Sequence, residues 1–314
     1  MQIFSGKTFN FGRYLLISAF IVFLYGCASL SRGQLAAVKS FTDSCDSLDK
    51  YPGAFFEEMA QIRAARGLYF SASLGDAQNR LLELNSIYDG LVKDKQLAGK
   101  ANLSWEILNS YQRALKILAG AARWEDASRE FRTVGRKLDS LIYRYNRSDF
   151  TKNLLPTGIG RTAGRAAGIT AMIFIKRAQS RAIKKFVAQG DALVSGVVFE
   201  LVQALKNPQV TFLIENERKG LDINYISYLR KSGTHANSLQ DDKYFLSLKE
   251  RTEKLTYIRG GIISSANRLA KAHNRLAIEF TRRKKVGELF TELLEFEKEV
   301  SALTKDYNNI IIPK

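Results

Sequence analysis

Side chains that could do acid–base, nucleophilic or metal chemistry are few in this chain. Its 314 residues include two histidines, His235 and His273, and two cysteines, Cys27 and Cys45. A zinc site normally takes four histidine, cysteine or carboxylate ligands, and these residues show no such grouping. His273 falls on an apolar seam of helical spacing, which favours a packed core histidine over a catalytic one. We therefore expect no metal site, no cofactor and no enzymatic activity.

Two pairs of adjacent carboxylates, Glu57-Glu58 and Asp241-Asp242, are the other candidates for acid–base chemistry. Neighbouring residues in a helix point about 100° apart, so neither pair converges on one point. We expect solvated surface carboxylates at both places. The chain also lacks the short motifs of serine hydrolases, P-loop proteins and zinc proteases. An acid–base site built from residues distant in sequence stays open.

The residues that precede Cys27 have the features of a secretory signal peptide. Residues 1–13 carry Lys7 and Arg13 and no acidic residue, and residues 14–24 form an apolar run. A basic start, a short apolar run and a small residue before the cut are typical of a secretory signal peptide. The run has about eleven residues, whereas a bilayer-spanning helix needs about twenty. We expect residues 1–26 to be a signal peptide.

The residues Leu24-Tyr25-Gly26-Cys27 resemble the lipobox of bacterial lipoproteins. In that family the leader is cut before the cysteine, which then carries a diacylglycerol and usually a third acyl chain. The resemblance implies a lipidated Cys27 and a short tether over 27–33. Two or three acyl chains anchor a protein stably where one does not. Tyr25 stands where a small residue is usual, and an ordinary cleavage site or an uncleaved anchor are the alternatives. The resemblance ends at the cysteine.

The residues after the cysteine indicate which membrane would hold the protein. Ala28 stands in place of the Asp that resembles an inner-membrane retention signal in enteric bacteria. Residues 29–32 lack the acidic cluster that resembles a surface-export signal in Bacteroidota. In a host with two membranes, both points favour the outer membrane of the cell envelope, facing the periplasm. In a host with one membrane neither point applies.

The composition predicts a folded and strongly basic protein. The chain is 46% hydrophobic with four prolines, its formal net charge is +17, and its pI is near 9.8. A secreted protein of this charge meets anionic phospholipid, lipopolysaccharide phosphates or acidic wall polymers, and this location disfavours nucleic acid as a partner. Once Cys27 is acylated, Cys45 has no partner for an internal disulfide. It is then either buried, or exposed and able to bridge two chains.

Apolar residues recur at three- and four-residue steps from residue 34 onward, which predicts an all-α fold. Three seams of this spacing are of the coiled-coil type, over 131–145, 262–280 and 286–303. They favour an elongated bundle of long helices with coiled-coil-like packing. Pro156 separates a first helical half, 34–150, from a second, 151–314. We expect the two halves to form one continuous bundle.

Helix boundaries are indicated at three places. Ser73-Leu74-Gly75-Asp76 reads as a capping box, with Ser73 at the start of a helix. Pro208 closes a helical stretch over 157–205, which is either one long helix or a kinked pair. The last two seams are out of phase across residues 282–285. That offset requires either a turn near Gly287 or a local stammer in one helix.

Gly160, Gly164 and Gly168 form a stripe of glycines four residues apart. On a helix such a stripe lets two backbones approach closely, and without a packing partner it is costly, at about 1 kcal/mol per glycine relative to alanine. The stripe predicts either tight packing inside the protein's own bundle, or self-association or insertion into a membrane. The apolar stretch 166–175 has about ten residues and is too short to span a bilayer alone.

The same region is electrically one-sided, because residues 151–190 contain no acidic residue. Its eight basic residues are Lys152, Arg161, Arg165, Lys176, Arg177, Arg181, Lys184 and Lys185. A basic, partly amphipathic helix is typical of elements that bind anionic lipid or another polyanion. Alternatively, acids elsewhere in the bundle compensate the charge, with candidates at Glu292, Glu295, Glu297 and Glu299.

These observations favour a non-enzymatic envelope lipoprotein that acts as a helical scaffold or interaction module close to its membrane. Residues 157–206 are the candidate binding surface, and the partners would be the membrane, a polyanion, a second copy, or an envelope protein that the sequence does not identify. The alternative is a membrane-active or membrane-remodelling protein that uses the helix of Gly160, Gly164 and Gly168.

Overall fold

The computed structural model describes residues 30–46, 51–120, 124–148, 154–162, 175–232, 239–282 and 287–311. Helix dominates these residues, and no strand occurs among them. The all-α prediction is therefore confirmed. Buried apolar side chains from Ala37 to Leu303 form one continuous core.

The helices divide between the two predicted halves of the chain. The first half contributes α1 (Arg32–Asp46), α2 (Tyr51–Ser73), α3 (Ala77–Ala119) and α4 (Trp124–Asn146). The second half contributes α5 (Ile175–Lys206), α6 (Pro208–Ser232), α7 (Leu239–Arg282) and α8 (Gly287–Ile311). Helices of the two halves pack directly on one another, since α3 contacts both α4 and α5, and α7 contacts α1 and α2.

Side-chain caps define several helix starts. At α1, the Ser31 hydroxyl accepts a hydrogen bond from the Gln34 amide at 3.1 Å, and Gln34 Oε1 accepts one from the Ser31 amide at 3.0 Å, which is a reciprocal capping box. The capping box predicted at Ser73 is wrong, because α2 continues through Ser73. Asp76 is instead the cap of α3, accepting from the Asn79 amide at 2.7 Å. Carboxylates are as good in this position as hydroxyls.

The predicted seams are buried wherever the structure describes them. All five apolar residues of the 131–145 seam and all six seam residues of 262–280, His273 included, are core residues. Helices α7 and α8 pack against each other in opposite directions, as shown by the Lys271–Glu292 ion pair at 2.8 Å and the Ser264–Glu299 hydrogen bond at 3.0 Å. The chain therefore reverses direction between α7 and α8, which accounts for the phase offset and excludes a stammer within one helix.

The long helices give the bundle two distinct ends. We call the N-terminal end the one where α1, α5 and α8 begin and α3 and α7 finish; there Gln179 of α5 donates to the Leu118 carbonyl of α3 at 2.8 Å. The opposite end holds the finish of α2 and α6 and the start of α7, where Tyr69 packs on Tyr225 at a centroid distance of 4.9 Å. With 44 residues, α7 is about 66 Å long.

The prediction that both carboxylate pairs are solvated is wrong for Glu58 and incomplete for the second pair. Glu58 is buried and accepts two hydrogen bonds from Arg251 of α7, at 2.5 and 2.9 Å. Asp242 accepts from the Tyr225 hydroxyl at 2.5 Å, and Asp241 accepts from Tyr228. The partners lie on other helices or far along the chain, so adjacency in sequence could not indicate them.

Candidate polyanion-binding surface

The exposed face of α5 carries the basic residues that the structure describes in full. Ala182, Phe186 and Val187 on the other face are buried in the core. Arg181 and Lys185 lie one turn apart and are exposed, and Lys184 is half-buried. None of the three forms an ion pair with an acid among the described residues. Lys176 and Arg177 belong to the first turn of α5, but their side chains lie outside the described residues.

The four glutamates proposed as compensation lie on α8 and face elsewhere. Glu292 pairs with Lys271, Glu295 pairs with Arg268, and Glu299 accepts from Ser264, all on α7. Glu297 is exposed and borders a polar surface groove that α8 shares with α1. In the described part of the chain these acids therefore leave the charges of α5 uncompensated.

Helix α4 adds basic side chains that the sequence analysis did not single out. Its inner face is the buried 131–145 seam, and Phe131 packs edge-on against Phe186 of α5 with centroids 5.3 Å apart. Its exposed residues include five cations: Arg129, Arg132, Arg136, Lys137 and Arg144. The sequence could have indicated their exposure, because the apolar seam at 131–145 places these cations on the opposite side of the helix. We call Arg132, Arg136, Lys137, Arg181 and Lys185 the basic surface.

Gly160 contacts the protein's own backbone. A Cβ added there would lie 2.1 Å from the carbonyl oxygen of Gly135 in α4. Asp139 of α4 accepts hydrogen bonds from the amides of Gly160 and Arg161, both at 3.0 Å, and its carboxylate lies 3.6 Å from the exposed Arg161 guanidinium. The charge of Arg161 is thus partly compensated. Gly164, Arg165 and Gly168 lie outside the described residues, as do Cys27, His235 and the rest of residues 1–29.

Among the described residues, one helical stretch, Ala178–Lys206, is long and apolar enough to cross a membrane by length and composition. Half of its apolar window is buried inside the bundle. Core helices of folded proteins have the same property, so this stretch is accounted for by its packing on α3 and α7.

A buried hydrogen-bond network connects α3, α5 and α7. The Tyr111 hydroxyl lies 2.7 Å from His273 Nε2, and His273 Nδ1 lies 3.1 Å from Asp191, which also accepts from Asn274 at 2.9 Å. The carboxylate fixes the tautomer, so Nδ1–H donates to Asp191 and Nε2 accepts from Tyr111. Burial lowers the pKa of His273 and raises that of Tyr111, while the hydrogen bond from His273 lowers the pKa of Asp191.

These hydrogen bonds hold α3, α5 and α7 together inside the core, since neither Tyr111 nor His273 has any exposed surface. Cys45 is equally buried, and burial raises the pKa of its thiol, which fits the buried alternative for this residue. The described residues contain no cluster of three or more histidine, cysteine or carboxylate side chains that could hold a metal ion. Comparison of the chain with protein-family models, curated protein sequences and solved structures found no match.

Proposed function

We propose that this protein is a bacterial envelope lipoprotein that is anchored by acyl chains on Cys27 and acts as a non-enzymatic helical scaffold. In this proposal, the basic surface rests on anionic lipid or on another envelope polyanion. The observation that carries the proposal is the exposure of Arg181 and Lys185 without an acidic partner in the described part of the chain. Both residues belong to the first turns of α5, near the end of the bundle where the chain arrives from Cys27.

Chain length and charge support the same orientation. The first described residue, Leu30, is three positions after Cys27, a distance of about 10 Å at most along an extended chain. The N-terminal end would therefore be held against the membrane, and each cation near an anionic surface adds about 1 kcal/mol of attraction. The opposite end would then stand about 66 Å away, at the reach of α7. In a host with two membranes, the outer membrane facing the periplasm is the proposed location.

Replacing Cys27 with serine tests the anchor. We expect the Cys27→Ser protein to lose all labelling by a palmitate analogue and to leave the membrane fraction, because serine provides no thiol for the lipid. Labelling and fractionation of the intact chain in a bacterial host measure both effects, with Cys45→Ser as the matched control that should keep its label. A Cys27→Ser protein that is labelled as strongly as the parent would refute lipidation.

Charge reversal on α5 tests the basic surface. Residues 28–314 should sediment with vesicles that contain phosphatidylglycerol and should stay in solution with pure phosphatidylcholine vesicles. Binding should weaken between 0.1 and 1 M salt, as the Debye length falls from about 10 Å to about 3 Å. The double change Arg181→Glu, Lys185→Glu should weaken binding by at least about 30-fold, because two attractions of about 1 kcal/mol each are removed and the new carboxylates are repelled by the anionic lipid.

The control for this experiment reverses two exposed lysines that do not belong to the basic surface, Lys95 of α3 and Lys219 of α6. Lys95→Glu, Lys219→Glu changes the net charge equally and should alter vesicle binding by less than about twofold, since binding depends on the position of the charge. Equal losses for both double variants would mean that net charge alone drives binding. Unchanged binding of the Arg181→Glu, Lys185→Glu protein would remove α5 from the proposed surface.

A further inference from the structure

A cavity of about 670 Å³ opens midway along the bundle, where five helices meet. It lies between the start of α2, the middle of α3, the finish of α4 and α5, and the start of α6. Its volume is within the range of about 300 to 1,000 Å³ that is usual for small-molecule sites. The basic surface does not contribute to its lining.

The cavity is apolar inside and polar at its rim. Phe56, Met59, Leu201 and Val210 are buried residues that line it from α2, α5 and α6. The polar lining residues that are exposed or half-buried form the rim: the amides Gln96, Asn207 and Gln209, the hydroxyl residue Ser148, one cation, Lys100, and one carboxylate, Glu200. Burial lowers the pKa of Lys100, so its ammonium lies in a partly desolvated setting. An apolar interior with a charged rim suits a ligand that has an apolar body and a polar head.

We propose that this cavity binds the acyl chain of a single-chain zwitterionic phospholipid, with the head group at the rim. The chain would fill the space between Phe56, Met59 and Leu201. Lys100 and Glu200 both have partners within the protein, and together they leave the rim with no net charge. The complementary head group therefore also has no net charge and contains both a phosphate and an ammonium. A simple fatty acid offers only the negative group.

The protein's own acyl anchor does not reach this cavity. Along α5, 23 residues separate Ala178, near the N-terminal end, from Leu201 in the cavity wall, which is about 35 Å of helix. The chain from Cys27 to Leu30, three positions later, extends about 10 Å at most. An acyl chain adds about half of the 30 Å hydrocarbon core of a bilayer. The proposed ligand is therefore a separate molecule, and the inference does not depend on the proposed anchor or basic surface.

Filling the cavity from α5 tests this inference. Ala204 is exposed within the lining, so Ala204→Phe should fill the space without displacing a buried side chain. Ala192→Phe is the matched control, because Ala192 is an exposed alanine of the same helix outside the lining. The probe is a fluorescent lysophosphatidylethanolamine, added to delipidated residues 28–314 below its micellar concentration and without vesicles. This format separates the result from that of the vesicle experiment.

We expect saturable binding by the parent protein, at least a tenfold weaker affinity for Ala204→Phe, and a change below about twofold for Ala192→Phe. Unlabelled lysophosphatidylethanolamine should displace the probe at lower concentration than palmitate. No saturable binding, or equal losses in the two variants, would overturn the cavity as a lipid site. Displacement by palmitate at equal or lower concentration would overturn the zwitterionic head group. Melting temperatures of the two variants within a few degrees of each other confirm that both are folded.

Discussion

Replacing Gly190 with alanine is expected to lower the free energy of unfolding by about 3 kcal/mol. A Cβ at this position would lie 2.2 Å from the ring carbon Cε2 and from the hydroxyl oxygen of Tyr111. Tyr111 cannot move aside easily, because it is fully buried, stacks on Phe186 at 4.7 Å and bonds to His273. Overpacking of a core typically costs about 1 to 3 kcal/mol, and displacing the ring would also break the hydrogen bond. Denaturant unfolding of residues 28–314 measures the change.

Gly90→Ala provides the matched control, since Gly90 is also a glycine within a long helix and a Cβ there would meet nothing within 4 Å. It should stabilise the protein by about 0.5 to 1 kcal/mol, the usual gain of alanine over glycine inside a helix. A second arm uses Tyr111→Leu, which removes the clashing atoms. In that background Gly190→Ala should cost less than about 1 kcal/mol. An additive double variant would contradict the proposed contact.

Helix periodicity predicted the buried faces of the helices well, but it could not predict which residues of different helices contact one another. The seams at 131–145 and 262–280 could be read from the chain because a helix repeats its buried face every three or four residues. Gly190 gave no such signal. Its importance comes from Tyr111, which is 79 positions earlier in the chain and on another helix. Glu58 was misjudged for the same reason, because its partner Arg251 is 193 positions away.

The candidate site was predicted in part. The basic character of α5 was visible as a run of cations without acids, whereas only the structure shows that Arg181 and Lys185 are exposed and Lys184 is half-buried. The cations of α4 were overlooked because acidic residues are interspersed with them in sequence. The cavity at Ala204 could not be predicted at all, since five helices have to converge to enclose it.

The pH dependence of stability should be controlled by His273. Burial lowers the pKa of His273 below its ordinary value of 6.5, so the folded protein binds this proton less readily than the unfolded chain does. Stability then rises with pH wherever the unfolded state holds more protons. It should therefore be complete above pH 6.5 and fall as the pH drops below that value, by up to about 1.4 kcal/mol per pH unit. The protein should therefore become less stable between pH 6.5 and 5.0.

The surroundings of the ring support this assignment. Among the described residues, Asp191 is the acid that bonds to His273. Its favourable effect on the protonated ring is outweighed by complete burial between Phe41 and Tyr111. The pKa of Asp191 is itself lowered, so its contribution is present at neutral pH and is lost only as the pH falls below about 3.8. The two groups thus act in separate pH windows, and the loss between pH 6.5 and 5.0 belongs to the histidine.

Urea unfolding at several pH values, with three proteins compared, tests this prediction. His273→Gln should be less stable than the parent at pH 7.5, because the imidazole that bonds to both Tyr111 and Asp191 is lost. Its stability should change little between pH 6.5 and 5.0. His235→Gln removes the other histidine of the chain and should keep the full dependence of the parent. A His273→Gln protein with the parent's slope in this window would show that carboxylates, rather than this buried ring, cause the loss of stability in mild acid.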